Sequence, residues 1–398
     1  MRRIELGFLQ ISDTAKANVA EALNNNRLST GKFIQEFERL FAAAHGCKHA
    51  IFCNSGTSAL QIALAALKEK YNWADGDEVL VPALTFIASS NIILQNNLKP
   101  VFVDADPVYY NIDPLQIERH ITPRTRAIIP VHLFGQSCDM DPIRAIAKKR
   151  NLKILEDSCE TMFARYKNEW VGSMGDLACF STYVAHLLVT GVGGLVTTNS
   201  DELALMSRSI MAHGRDSIYL TIDDDDNLKD NQALRRIIER RFSFVRMGYS
   251  FRGTELEGAL GVAAMQSKDA MIARRRENGR ILTEKLKSLE EYLQLPKILP
   301  GAEHSFMMFP VVLKPGLDRG AFLDYLETNG IETRYLMPLL SQPYYRERFG
   351  PIENDYPAAK HLSGQGFYIG CHQGLKTEDL DYIAHVFAEY FRHAKLPA

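Results

Sequence analysis

No stretch of the 398-residue chain is long and charge-free enough to cross a bilayer. The segment 1–23, MRRIELGFLQISDTAKANVAEAL, carries two arginines but no continuous apolar run of the kind that directs secretion. A cytoplasmic, membrane-free protein is therefore expected. Charge imbalance is also lacking: Lys+Arg 46 against Asp+Glu 48 leaves a net charge of −2. With no long basic run either, electrostatics gives no reason to expect a nucleic acid or an acidic lipid surface as partner. The six cysteines (Cys47, Cys53, Cys138, Cys159, Cys179 and Cys371) are scattered, with no C-x-x-C pair and no paired zinc-type spacing. Reduced thiols and no metal site are expected. Repeats and low-complexity tracts are absent.

A 46% hydrophobic, 24% charged chain of this length can bury two cores. Apolar residues recur at helical spacing from Ser12 to Ala44, interrupted at LSTGKF (28–33), which predicts two helices and a loop. HAIFCNSGTSALQIALAALKEK (49–70) then runs from a short apolar strand through Gly56-Thr57-Ser58 into an alanine- and leucine-rich helix. A glycine-containing turn at a helix start presents unpaired backbone N–H groups and the positive end of the dipole, which suits a phosphate; a simple helix cap would look the same.

Strands are predicted at 78–86, 99–106, 126–135 and 152–158, with helical patterns between them. Near-continuous apolar strands separated by helices indicate a parallel sheet covered on both faces, with ligands at the C-terminal strand ends. Phe86, Asp104, His132 and Asp157 all fall near such ends. Segment 215–245 reads as a solvated loop and a helix, with an acidic run Asp223–Asp226 and a basic cluster of Arg235, Arg236, Arg240 and Arg241. Beyond GYSFRGTELEGALGVAAMQ (248–266) and a long amphipathic helix, the pattern shortens into a small α+β unit. The expected domains are 1–270, binding the ligand, and 271–398, comprising the linking helix and the small C-terminal domain.

Taken in order, STGKFIQEFERLFAAAHGCKHAIFCNSGTSAL, VPALTFIAS, KPVFVDAD, TPRTRAIIPVHLFGQSCDMD, ILEDSCE, GSMGDLACFS, GYSFRGTELEGALG and YLMPLLSQPYY resemble the DegT-type sugar aminotransferase family. These are fold-type I enzymes that use pyridoxal phosphate. The resemblance implies an aspartate-aminotransferase-like α/β fold with a mostly parallel seven-stranded sheet. It implies a phosphate site at Gly56, Thr57, Ser58 and at Ser181 on a Phe-Ser turn, with Phe86 stacking on the ring. Asp157 would pair with the pyridine nitrogen, making the ring an electron sink, and Glu160 would lie beside it. Relatives recruit a partner-subunit residue from a Gly-Tyr-Asn-Tyr-Arg motif, here Gly248-Tyr249-Ser250-Phe251-Arg252, so Ser250 and Arg252 are expected to complete the partner's site in a homodimer. Thr30, His213 and Arg215 are the expected substrate contacts.

Family aminotransferases follow the Phe-Ser turn with a lysine that joins the cofactor as an imine. Here the turn leads to Tyr183-Val184-Ala185-His186, and no lysine lies between Lys167 and Lys229. Imidazole cannot form a stable imine, so non-covalent pyridoxal or pyridoxamine phosphate is implied, with His186 as general base. Tyr-x-Ala-His resembles the family's 3-dehydratase branch, as do Glu156-Asp157-Ser158-Cys159-Glu160 and His213-Gly214-Arg215-Asp216. The iron–sulfur members of that branch need clustered cysteines, and this chain has none between Arg215 and Cys371. The expectation is a cluster-free, L-glutamate-dependent dehydratase of a nucleotide-linked 4-ketosugar, in deoxysugar or O-antigen synthesis. A sugar aminotransferase with a replaced lysine, or a non-catalytic binding relative, are the alternatives.

Overall fold

The computed structural model describes residues 2–216, 230–240 and 242–393. The acidic run 223–226 and Arg241 fall outside them; the helix expected nearby is Asn231–Arg240. Nine strands precede residue 200: β1 (His49–Cys53), β2 (Glu78–Pro82), β3 (Lys99–Val103), β4 (Thr125–Ile128), β5 (Lys153–Asp157), the short hairpin β6 (Arg165–Tyr166) and β7 (Glu169–Trp170), β8 (Leu177–Ser181) and β9 (Gly194–Thr198). Seven of them form one sheet in the order β1-β9-β8-β5-β4-β2-β3. From β8 to β3 the strands run parallel, and β9 is antiparallel to both β8 and β1.

The apolar runs separate by parity, because successive strand residues face opposite sides of a sheet. Val79, Val81, Ala127 and Leu155 enter the larger core with helix Gly56–Lys70. Leu80, Ile128 and Ile154 face the other way, onto helix Met140–Arg150. Gly56–Lys70 is buried on nearly every side, as its apolar stretch Ala59–Leu67, broken only by Gln61, requires. Three strands end earlier than the sequence suggests, at Pro82, Val103 and Ile128. Pro130, two residues past β4, has no N–H to extend the ladder.

The C-terminal sheet is antiparallel, ordered β10 (Leu293–Gln294), β11 (Met308–Leu313), β13 (Gly366–Gly370), β12 (Thr333–Tyr335). Its core is aromatic: Phe322 meets Phe387 edge to face at 5.1 Å, beside buried Phe309 and Phe367. Residues at the start of the chain join this unit, with Ile4 bridging Ile331 and 1% exposed. Asp104, just past β3, reaches across to helix Pro357–Gln365, accepting hydrogen bonds from Ala358 N at 3.0 Å and Ala359 N at 2.8 Å. That carboxylate caps the helix N-terminus, where anions are favoured.

Candidate active site

Helix Gly56–Lys70 starts against the end of β8. Ser55 caps it, its hydroxyl accepting from Ser58 N at 3.0 Å and donating to Ser58 Oγ at 2.9 Å. The N–H groups of Gly56 and Thr57 stand ahead of Ser58 in the first turn. A Cβ on Gly56 would lie 2.7 Å from Ser181 Cβ and 2.9 Å from Cys159 Sγ. Glycine is thus required for the helix start to sit this close to β8. Ser181 is the last residue of β8 rather than part of a free turn, which fixes its position relative to the helix.

Asp157 ends β5, buried. Its carboxylate accepts from Ser89 Oγ at 2.6 Å and Cys159 N at 3.1 Å. Burial raises its pKa, and these two donors partly oppose the rise. A cationic ring nitrogen held against it would oppose the same desolvation cost. Nothing in the sequence singled out Ser89, which lies in helix Ile87–Gln95. Glu160 accepts from Phe134 N at 3.0 Å. Burial pushes its carboxyl up to about 7, the Phe134 N–H opposing this and the charge of Asp157 adding to it. Phe86, at the start of helix Ile87–Gln95, is 57% exposed, a large apolar ring with one face open on this rim.

His186 is half-buried in the loop after β8. Its Nδ1 lies 2.6 Å from the carbonyl oxygen of Cys159. A carbonyl can only accept, so Nδ1 carries the proton and Nε2 keeps the free lone pair. Burial pushes the imidazole pKa down to about 4, with the Cys159 carbonyl opposing. Cys159 therefore serves two neighbours at once, its N–H directed at Asp157 and its C=O at His186. Sequence reading missed this backbone role entirely.

Two other rim residues turn away from this group. Asp104 caps the C-terminal helix described above. His132 Nε2 lies 3.1 Å from Glu156, and its Nδ1 accepts from Cys138 N at 2.9 Å, so Nε2 is the donor to the carboxylate. Glu156 also accepts from the N–H groups of Gly172, Met174 and Gly175, which ties it into the loop before β8.

The remaining predicted residues form a second group. Ser250 and Ala212 bridge, and Arg252 Nη2 lies 3.4 Å from Ser250 Oγ. His213, at φ 65°, donates its N–H to Tyr249 O at 2.8 Å, and the Arg215 guanidinium lies 5.9 Å over the Phe244 ring. Thr30 sits on the loop whose Leu28 carbonyl receives Glu255 N, at the start of helix Glu255–Gln266. Backbone joins this group to the first: Arg252 bridges Cys53, and Asn54 N donates to Phe251 O at 2.8 Å. Ser250, Arg252 and His213 are solvent-exposed.

A seven-stranded, mostly parallel sheet with a small antiparallel C-terminal domain is the fold-type I architecture of pyridoxal phosphate enzymes, and the rim residues suit that cofactor. The Gly56 cradle leaves no room for a side chain, Asp157 is a buried carboxylate, and Ser158 Oγ and Asn54 Oδ1 at the same rim are buried without a hydrogen-bond partner among the described residues. Residues 9–388 match the DegT/DnrJ/EryC1/StrS aminotransferase family, and the chain belongs to it. It is 35% identical over 385 residues to GDP-perosamine synthase of Caulobacter vibrioides, covering 96% of both chains. Two crystal structures of GDP-4-keto-6-deoxymannose-3-dehydratase, one a variant with bound GDP-perosamine and one with a trapped PLP-glutamate geminal diamine, match with TM-scores of 0.88 at 28% and 27% identity. Each comparison covers 96% of this chain and 100% of the other. The cofactor of this chain is accordingly pyridoxal phosphate or its pyridoxamine form.

Proposed function

We propose that the chain is a nucleotide-sugar 3-dehydratase that removes the 3-hydroxyl of a 4-keto-6-deoxyhexose nucleotide with L-glutamate as amino donor. It would act as a homodimer in which Ser250 and Arg252 complete the partner's site. The observation that carries this reading is His186 in the lysine position with its Nδ1 proton directed to the Cys159 carbonyl. A lone pair at Nε2 can take a proton but cannot hold the cofactor covalently.

When bound, the cofactor supplies an electron sink next to the carbon whose proton is removed. Asp157 would hold the proton of the pyridine nitrogen, Phe86 would cover the ring, and Gly56, Thr57, Ser58 and Ser181 would bind the phosphate. His186 Nε2 would take the proton at C4′ of the pyridoxamine form. With its pKa near 4, the imidazole is the free base throughout the neutral range. Thr30, His213 and Arg215 belong to the second group, in which His213 is exposed and Thr30 and Arg215 are half-buried, and they would contact the substrate. Over one turnover glutamate becomes 2-oxoglutarate, the sugar loses its 3-hydroxyl, and nitrogen leaves as ammonia.

Amination at C4 is the competing reading, favoured by the 35% identity to a perosamine synthase. Nitrogen-15 glutamate separates the two when GDP-, dTDP-, CDP- and UDP-linked 4-keto-6-deoxyhexoses are supplied. Label in free ammonia with a 3-deoxy product is expected. Label retained on the sugar would overturn the dehydratase in favour of the aminotransferase, and no turnover with any of the four would point to a binding protein.

A further inference from the structure

The loop that carries His186 is closed at its base by two buried hydroxyls, Thr182 and Thr190, 0% and 2% exposed. Their Oγ1 atoms are 2.6 Å apart, and Thr190 Oγ1 also donates to Val192 O at 2.7 Å. Thr190 has a single hydroxyl proton, and Val192 O can only accept. The proton between the two threonines therefore comes from Thr182, giving a directed chain Thr182→Thr190→Val192 O. Backbone bonds reinforce it: Thr190 N donates to Thr182 O and Thr182 N to Gly193 O, each at 3.0 Å. Gly193 stands at φ 145°, where a Cβ would come within 2.5 Å of Thr182 Oγ1 and 2.8 Å of Thr190 Oγ1. The glycine is what admits the hydroxyl pair. Between the threonines, Tyr183 and Val184 are exposed, and among the described residues the imidazole is tied to the sheet rim by its hydrogen bond to Cys159 O.

We propose that Thr182 and Thr190 are positioning residues that hold the loop so that His186 keeps its Nδ1–H on Cys159 and its Nε2 aimed at the reacting carbon. This rests on the reading of His186 as the base. Replacing Thr190 by valine keeps the shape, removes the link to Val192 O and leaves Thr182 without its acceptor, a buried loss that the loop can relieve only by shifting. A shift of about 1 Å at a catalytic group costs turnover about 100-fold.

The test compares Thr190→Val and Thr190→Ser in the full-length chain. With cofactor bound, turnover of the 4-ketosugar nucleotide is expected to fall about 10- to 100-fold in the valine variant. KM should change less than about twofold, because a loss confined to the transition state lowers kcat and leaves binding intact. Serine, which keeps the hydroxyl, is expected to restore most of the rate. Independently of activity, nitrogen-15 NMR of histidine-labelled protein, with the His186 signals assigned by their loss in His186→Asn, should show a single Nδ1-protonated tautomer in the wild type and a tautomer mixture in the valine variant. Wild-type turnover and an unchanged tautomer in Thr190→Val would overturn the proposal, and so would a serine variant no better than valine. If the chain turns over no ketosugar, the NMR arm still decides the role of the pair while the dehydratase reading fails separately. Should Thr190→Val not fold, Thr182→Val removes the first donor of the chain and takes the same measurements.

Discussion

Glu160 is buried beside another buried acid, and its ionisation should be visible as a pH-dependent cost to folding. The substitution Glu160→Gln keeps a side-chain oxygen to accept from Phe134 N and removes the charge. An ordinary glutamate in the unfolded chain titrates near 4.5, whereas the folded group is pushed up to about 7. A raised acid pKa in the folded state means that folding is opposed once the unfolded chain begins to ionise. The penalty is absent below 4.5, grows through the interval, and is complete above about 7. Each tenfold displacement of an ionisation equilibrium is worth about 1.4 kcal/mol, so the full penalty is about 3 kcal/mol. Urea denaturation of the cofactor-free protein should therefore find Glu160→Gln more stable than wild type by about 3 kcal/mol at pH 8 and equal to it at pH 4. A stability difference that does not change between these pH values, or a glutamine variant weaker at pH 8, would refute the argument and show Glu160 to be solvated or paired.

Gly56→Ala should lower affinity for pyridoxal phosphate by about tenfold, the loss of roughly one hydrogen bond to a charged group. It should also destabilise the fold by about 1–3 kcal/mol through the contacts with Ser181 and Cys159; fluorescence titration and a thermal melt check the two effects. Asp104→Ala removes the acceptor for two N–H groups of helix Pro357–Gln365. A loss of about 0.5–2 kcal/mol is expected, with faster amide exchange at Ala358 and Ala359 than elsewhere in the small domain.

The burial of the strands on both faces was legible in their near-continuous apolar runs, and so was the helix start at Gly56, because both are local properties of the chain. The antiparallel β9 was not, since its five buried residues look the same in either direction. Phe86, Asp104, His132 and Asp157 were equally marked by their places at strand ends. What separates them is contact at long range: Asp104 finds its partners 254 and 255 residues away, and His132 is engaged by Glu156 and Cys138. The tautomer of His186 was likewise hidden, because it depends on a carbonyl 27 residues earlier. The residue type at 186 was plain in the sequence, and the direction of its lone pair came from the fold.

Cys159 reaches both Asp157 and His186 through its main chain. Its thiol hydrogen-bonds Asp157 and lies against the place where a Cβ on Gly56 would fall, so residue type is constrained here along with backbone geometry. The same residue acts as a short ruler between two separate elements: the carbonyl that orients the His186 lone pair stands two residues past the acid that ends β5, so a displacement there reaches acid and base through one stretch of main chain.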